Sequence, residues 1–182
     1  MRKAFLAIII ISVIIPVQVL AQGEIVSDSD NLDLVSSRCK DSQRYLNNTL
    51  RPRDIRVRVN RLQAYRYISK RMEVFTGRLE SNSQEGASKM RGHLSTLNSQ
   101  IDDFKNNYEV YDLLRDQTAK MQDCDSSPKE FIVKIRQTRL ARNQLNSDVQ
   151  AIHDTLDKSI LSDLKLMHDQ YLTYGASGGG NE

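Results

Sequence analysis

An all-α fold, an elongated antiparallel three-helix bundle with coiled-coil-like packing, is predicted by three features of this 182-residue chain. Met90, Leu94, Leu97, Ile101, Phe104, Tyr108 and Tyr111 step alternately four and three places. That average of about 3.5 residues keeps one helical stripe against partner helices over many turns. The composition, with no Trp, three Pro and 6% aromatic residues, favours long helices over a sandwich or barrel. Cys39 and Cys124 stand at similar distances on either side of a polar bend near residues 82–86, as a folded-back pair of helices requires.

The chain opens with Arg2 and Lys3, an uncharged apolar run over residues 4–15, and Val19-Leu20-Ala21 where a signal peptidase cuts. Residues 1–21 are expected to be a signal peptide, cleaved after Ala21. Retention as an anchor competes with cleavage, because the apolar stretch of about 18 residues approaches the shortest bilayer span. Pro16 and Gln18 interrupt it and favour removal. Cleavage takes away two basic residues and no acid, leaving 24 Lys and Arg against 23 Asp and Glu, a net charge of about +1. The expected location is outside the cytoplasm, secreted or associated with the cell envelope.

Residues 22–33, with Glu24, Asp28 and Asp30, lack periodicity and are expected to form a flexible acidic lead. The helical bundle is expected over residues 34–172. Its first helix, over residues 34–79, carries Leu46, Leu50, Ile55, Val59, Leu62, Ile68, Met72, Phe75 and Leu79 as apolar positions. Pro52 removes a backbone donor and crowds the preceding turn, so this helix is expected to be kinked or broken there. Turn formers from Ser81 to Gly86 make the first bend. The second helix, over residues 87–121, carries the ladder and should be about 52 Å long at about 1.5 Å per residue.

Asp123-Cys124-Asp125-Ser126 makes the next bend, and Ser127-Pro128-Lys129-Glu130 has the form of a capping box with proline in the first turn. The third helix carries Phe131, Ile135, Leu145, Val149, Ile152, Leu156, Ile160, Leu164, Met167 and Tyr171. Between Ile135 and Leu145 only Leu140 stands among Arg136, Arg139 and Arg142, so looser packing is expected there. Residues 173–182 are glycine-rich and are expected to be a disordered tail.

The only two cysteines of an exported chain most simply pair with each other. In a folded-back arrangement both sulfurs return to one end, and closing a loop of about 85 residues is worth roughly 4 to 5 kcal/mol in the chain-entropy account. Metal binding would need further ligands, and His93, His153 and His168 have no ligand spacing to either cysteine. A redox pair would sit close in sequence. His153 and Asp157, one turn apart, read as a surface pair, and His168 is placed to complement the end of the third helix. No catalytic motif with defined spacing is present, so no enzyme, no cofactor and no small-molecule substrate is predicted.

Residues 38–78 hold 12 basic residues against Asp41, Asp54 and Glu73, whereas residues 80–127 hold five basic against nine acidic. Arg51, Arg53, Arg56, Arg58, Arg61, Arg66, Lys70 and Arg71 are therefore candidate ligands for a polyanion: anionic lipid, wall polymer or nucleic acid. They fall all around the helix, and the acidic second helix is expected to balance much of their charge.

The layout resembles a known type of protein. The cysteine opening an arginine-rich first helix, Gly77-Arg78-Leu79, Ile101-Asp102-Asp103-Phe104 in the ladder helix, the cysteine-serine bend and the Phe131-led third helix carry the resemblance. They are similar to uncharacterised exported, cysteine-paired helical-bundle proteins of candidate-phyla bacteria with reduced genomes. Cys124-Asp125-Ser126-Ser127 stands where those proteins show Cys-Gly-x-Ser. The resemblance implies a fold, export and a cysteine pair, and no functional residue. The predicted function is a non-enzymatic extracytoplasmic interaction or structural module acting through exposed helix faces, with a protein partner at the cell envelope. Polyanion binding by the first helix is the alternative, and the heptads also allow homo-oligomers.

Overall fold

The computed structural model describes residues 32–82 and 86–177, with side chains through Gln170. The expected signal peptide, most of the acidic lead and residues 178–182 of the tail lie outside the described residues. The described chain is helical without strands: α1 (Leu32–Arg44), a π-helical segment (Tyr45–Leu50), α2 (Arg51–Ser81), α3 (Ala87–Ala119), α4 (Pro128–Asp154), a second π-helical segment (Thr155–Ile160) and α5 (Leu161–Ser177). α1 to α2 and α4 to α5 are each continuous, so three long helices pack together as a bundle.

All seven ladder residues are buried on α3, between 0% and 7% exposed, and form the centre of the core. Leu62, Tyr65, Met72 and Leu79 meet them from α2, and Leu145, Ile152 and Ile160 from the third long helix. The first helix departs from its expected stripe. Ile55 and Val59 are 42% and 45% exposed, while Asp54 faces inward at 8%. The π segment explains the change. Its wider turn places inward residues four apart, Leu46, Leu50 and Asp54, and so shifts the stripe off Ile55. The same wide turn accommodates Pro52, which has no amide to donate: the Arg51 amide donates to the Leu46 carbonyl, five residues back.

Cys39 and Cys124 form a disulfide with Cα atoms 5.8 Å apart, fully buried against Phe131 and flanked by Val35, Met121 and Ile135. The end of α3 beside it leaves carbonyls without intrahelical partners. Gln43 Nε2 donates to the Met121 carbonyl (2.6 Å) and the Thr118 carbonyl (3.4 Å), Lys40 Nζ to that of Gln122 (3.1 Å), and Ser36 Oγ to that of Asp125 (2.6 Å). At the other end Gly86 precedes α3 with φ +91°, a left-handed conformation that suits glycine. A side chain there would also meet Met167 Sδ of α5 at 3.1 Å.

Three local expectations are corrected. α4 begins at Pro128, but the Ser127 side chain makes no capping bond; its φ of −125° and ψ of 56° lie outside the extended geometry that aims the hydroxyl at the first amides. The Ser127 carbonyl instead accepts the Phe131 amide at 3.1 Å, and Glu130 turns to Lys134 at 4.0 Å. The interval around Leu140 packs through polar groups: Leu140 is 68% exposed and Thr138 takes the inward position. α5 continues through Ser177, beyond residue 172, because one glycine costs about 1 kcal/mol in an established helix, too little to stop propagation outright. His168 is thus nine residues short of the helix end, and it lies 3.5 Å from Asp169 Oδ1.

Candidate functional site

The basic residues of the first helix divide into two sets according to the side of α2 they occupy. At about 100° per residue, Asp54, Arg58, Arg61, Leu62 and Tyr65 share the side that packs on the bundle. Arg58 is half-buried, with its guanidinium carbon 4.6 Å from the centre of the Tyr108 ring and Nη2 3.6 Å from Glu109 Oε1 on α3. Arg61 is half-buried near Tyr65, whose hydroxyl is pushed above its ordinary pKa by burial and partly restored by that positive charge. Arg51 lies in a shallow groove with Arg58, Glu109, Asp112, Leu113, Asp116 and Lys120. Asp116 is held below the usual carboxylate range there, first by the Lys120 hydrogen bond (2.7 Å) and further by the charges of Lys120, Arg51 and Arg115. α3 therefore sets carboxylates beside Arg58 and Arg51, in the direction the charge balance of the two segments predicts.

Arg53, Arg56, Arg66, Lys70 and Arg71 are exposed, and they make no ion pair among the described residues. Arg56, Asn60, Gln63, Tyr67, Lys70 and Val74 step four, three, four, three and four places along the outward ridge of α2. Arg53, Val59, Arg66 and Arg71 flank that ridge, and the Arg71 guanidinium carbon lies 5.5 Å from the Tyr67 ring centre. Val59, Tyr67 and Val74 are 45%, 63% and 48% exposed among these cations. Glu73, on one flank, sits close enough to Arg91 of α3 to raise that guanidinium's pKa, after the larger effect of Glu80. Once α3 has matched the inner arginines, the outer face remains basic with apolar side chains between its charges.

A buried polar layer beneath α2 was not read from the sequence. The Tyr111 hydroxyl donates to Asp54 Oδ2, and Arg142 Nη2 lies 3.4 Å from Asp54 Oδ1. Arg115, 1% exposed, pairs with Asp112 and lies 5.8 Å from the Tyr111 ring centre. Thr118 and Thr138 join their hydroxyls at 3.0 Å, and Asp148 accepts from Asn107 and Gln144, each at 2.9 Å. Burial, followed by the bond to Asp54, pushes the Tyr111 hydroxyl far above its ordinary pKa. The spacing does hold a signal for part of this layer: Arg115 and Thr118 continue the ladder by four and three places from Tyr111.

The histidines occupy separate places. His93 Nε2 lies 2.7 Å from Asp163 Oδ2, and Lys89 Nζ lies 2.8 Å from the other oxygen, tying α5 to α3. His153 sets its ring edge-on to Tyr65, 6.4 Å between centres. Among the described residues, no three His, Cys, Asp or Glu side chains group as metal ligands, and no helix is long and apolar enough to cross a membrane. No protein family, curated protein or solved structure matches the chain when its sequence and fold are compared with them.

Proposed function

We propose that this protein is a non-enzymatic helical module that acts outside the cytoplasm, engaging a partner at the cell envelope through an exposed helix face. The observation that carries this is the outer side of α2, where basic and apolar side chains remain uncovered along the ridge. The acid and base groups that do converge, Asp54, Tyr111 and Arg142, are bonded to one another within the helix packing. A buried disulfide is compatible with an oxidising compartment. The apolar segment after Arg2 and Lys3 supports export.

The bundle that presents this face is antiparallel in the proposal, with its first long helix bending at the π segment before Pro52. The order of contacts supports it. Ser36 meets Asp125, Asp54 meets Tyr111, Arg58 meets Glu109, Ser69 meets Asn98 and Glu80 meets Arg91, so one number rises as the other falls.

Crosslinking in native cells, followed by capture on the oxidised mature chain, tests the proposal. A protein partner held equally well at low and high salt is the expected result, and loss of capture after Tyr67→Ala assigns it to α2. A second function, polyanion binding, is favoured by the five outer cations that have no carboxylate partner among the described residues. It predicts retention on an anionic support that falls steeply with salt.

A further inference from the structure

We infer that the outer face of α2 lies flat on an anionic phospholipid surface, its basic side chains on the headgroup phosphates and Val59, Tyr67 and Val74 between them. The inference rests on the polyanion function and names which polyanion is bound. Charge complementarity supplies the attraction: Arg53, Arg56, Arg66, Lys70 and Arg71 are exposed without ion pairs among the described residues, while the inner Arg58 already has its carboxylate. The apolar side chains choose among anionic partners. A soluble polymer is held by charge and hydrogen bonds and gains little from valine, whereas a membrane boundary takes up exposed apolar side chains between cations.

Geometry fits a plane. From Arg53 to Val74 the outer face, ridge and flanks together, extends over about 30 Å of helix, at about 1.5 Å per residue. The long arms of the flanking arginines reach either way from it. The apolar members are two valines and a tyrosine, so insertion is shallow and charge carries most of the attraction, which makes the contact sensitive to salt.

The test is co-sedimentation of the oxidised chain, residues 22–182, with vesicles containing about one third phosphatidylglycerol, with neutral phosphatidylcholine vesicles, and retention on heparin. Binding to the anionic vesicles alone among the two lipids is expected. Arg56→Gln/Lys70→Gln should weaken it about 25-fold, near fivefold per charge. Val59→Ser/Tyr67→Ser/Val74→Ser should weaken vesicle binding about tenfold and leave heparin retention unchanged. All five positions are exposed, and an unchanged circular dichroism melt verifies the fold of each variant. If heparin retains the chain while the apolar variant binds vesicles as well as the parent does, the lipid inference is overturned and polyanion binding stands. If neither anionic vesicles nor heparin bind, polyanion binding itself fails.

Discussion

Leu62, Tyr65 and Met72 of α2 meet Leu94, Leu97, Ile101 and Phe104 of α3 through apolar surface, with Tyr65 edge-on to Phe104 at 6.1 Å between centres. Nearer the disulfide, equivalent inward positions hold Asp54, Tyr111, Arg115, Thr118 and Thr138, with Arg142 reaching in from α4. Both stretches obey the same helical spacing, yet they constrain the fold differently. A leucine that slips one heptad against its neighbour meets another apolar side chain at small cost. A slip in the polar stretch separates Asp54 of α2 from Tyr111 of α3 and Arg142 of α4, and an unpaired buried charge costs several kcal/mol. The apolar half therefore contributes most of the burial free energy, and the polar half holds the helices to one alignment.

Removing the disulfide has the largest expected effect on both halves. Cys39→Ser/Cys124→Ser should lose about 4 to 5 kcal/mol, read as a fall in the urea midpoint with an unchanged slope in the folded baseline. Phe104→Ala follows, at about 3 to 5 kcal/mol, since the residue is 2% exposed and its loss opens a cavity in the apolar half. Asp54→Ala should cost about 1 to 3 kcal/mol, chiefly by leaving the buried Tyr111 hydroxyl unmatched, since Arg142 is half exposed and can be hydrated. The contrast sharpens with Asp54→Leu/Tyr111→Phe/Arg142→Leu made together. Thermal stability close to the parent, with broadened amide resonances in α2 and α3, is the expected outcome. Sharp spectra from that triple variant would remove the alignment role from the polar half.

The smallest effects are those of pH, and they have opposite signs in two places. The Tyr111 hydroxyl is raised in the folded chain by burial and then by Asp54. Its contribution is complete below about pH 10, the ordinary tyrosine value, and declines as pH climbs from there toward the folded value. Tyr111→Phe should flatten the alkaline limb of the stability curve. Asp163 is held below the usual carboxylate range by its hydrogen bonds from Lys89 and His93. Its contribution is complete above the ordinary aspartate value and is lost as pH falls through the lowered one. Amide protection in α5, taken relative to the intrinsic exchange rate at each pH, should fall in that acid window, and Asp163→Asn should remove that fall.

The ladder of α3 was legible because its period and its chemistry agree: every apolar member is buried. The extension through Arg115 and Thr118 keeps the period but changes the chemistry, so hydropathy alone passes over it. The stripe of the first helix was legible at Leu46 and Leu50 and again from Leu62 to Leu79, but missed at Ile55 and Val59, just after the π turn, whose effect on phase a regular helical period does not contain. The candidate basic residues were identifiable by type. Their division was not, because it depends on which of them Glu109 and Asp116 approach from α3.

Local chemistry along the chain determined the helices, the bends between them and the apolar stripe of the central one, because propensity, turn residues and spacing act over a few neighbours. It also determined that two sulfurs, and two segments of opposite charge, would be available to meet. Only the tertiary structure decided how far α2 is rotated about its axis. That rotation buries Asp54, turns Ile55 and Val59 outward, and leaves one set of arginines matched by α3 and the other facing water. The reason is physical: the surroundings of a charge are set by side chains remote in sequence, which come near only when the helices pack.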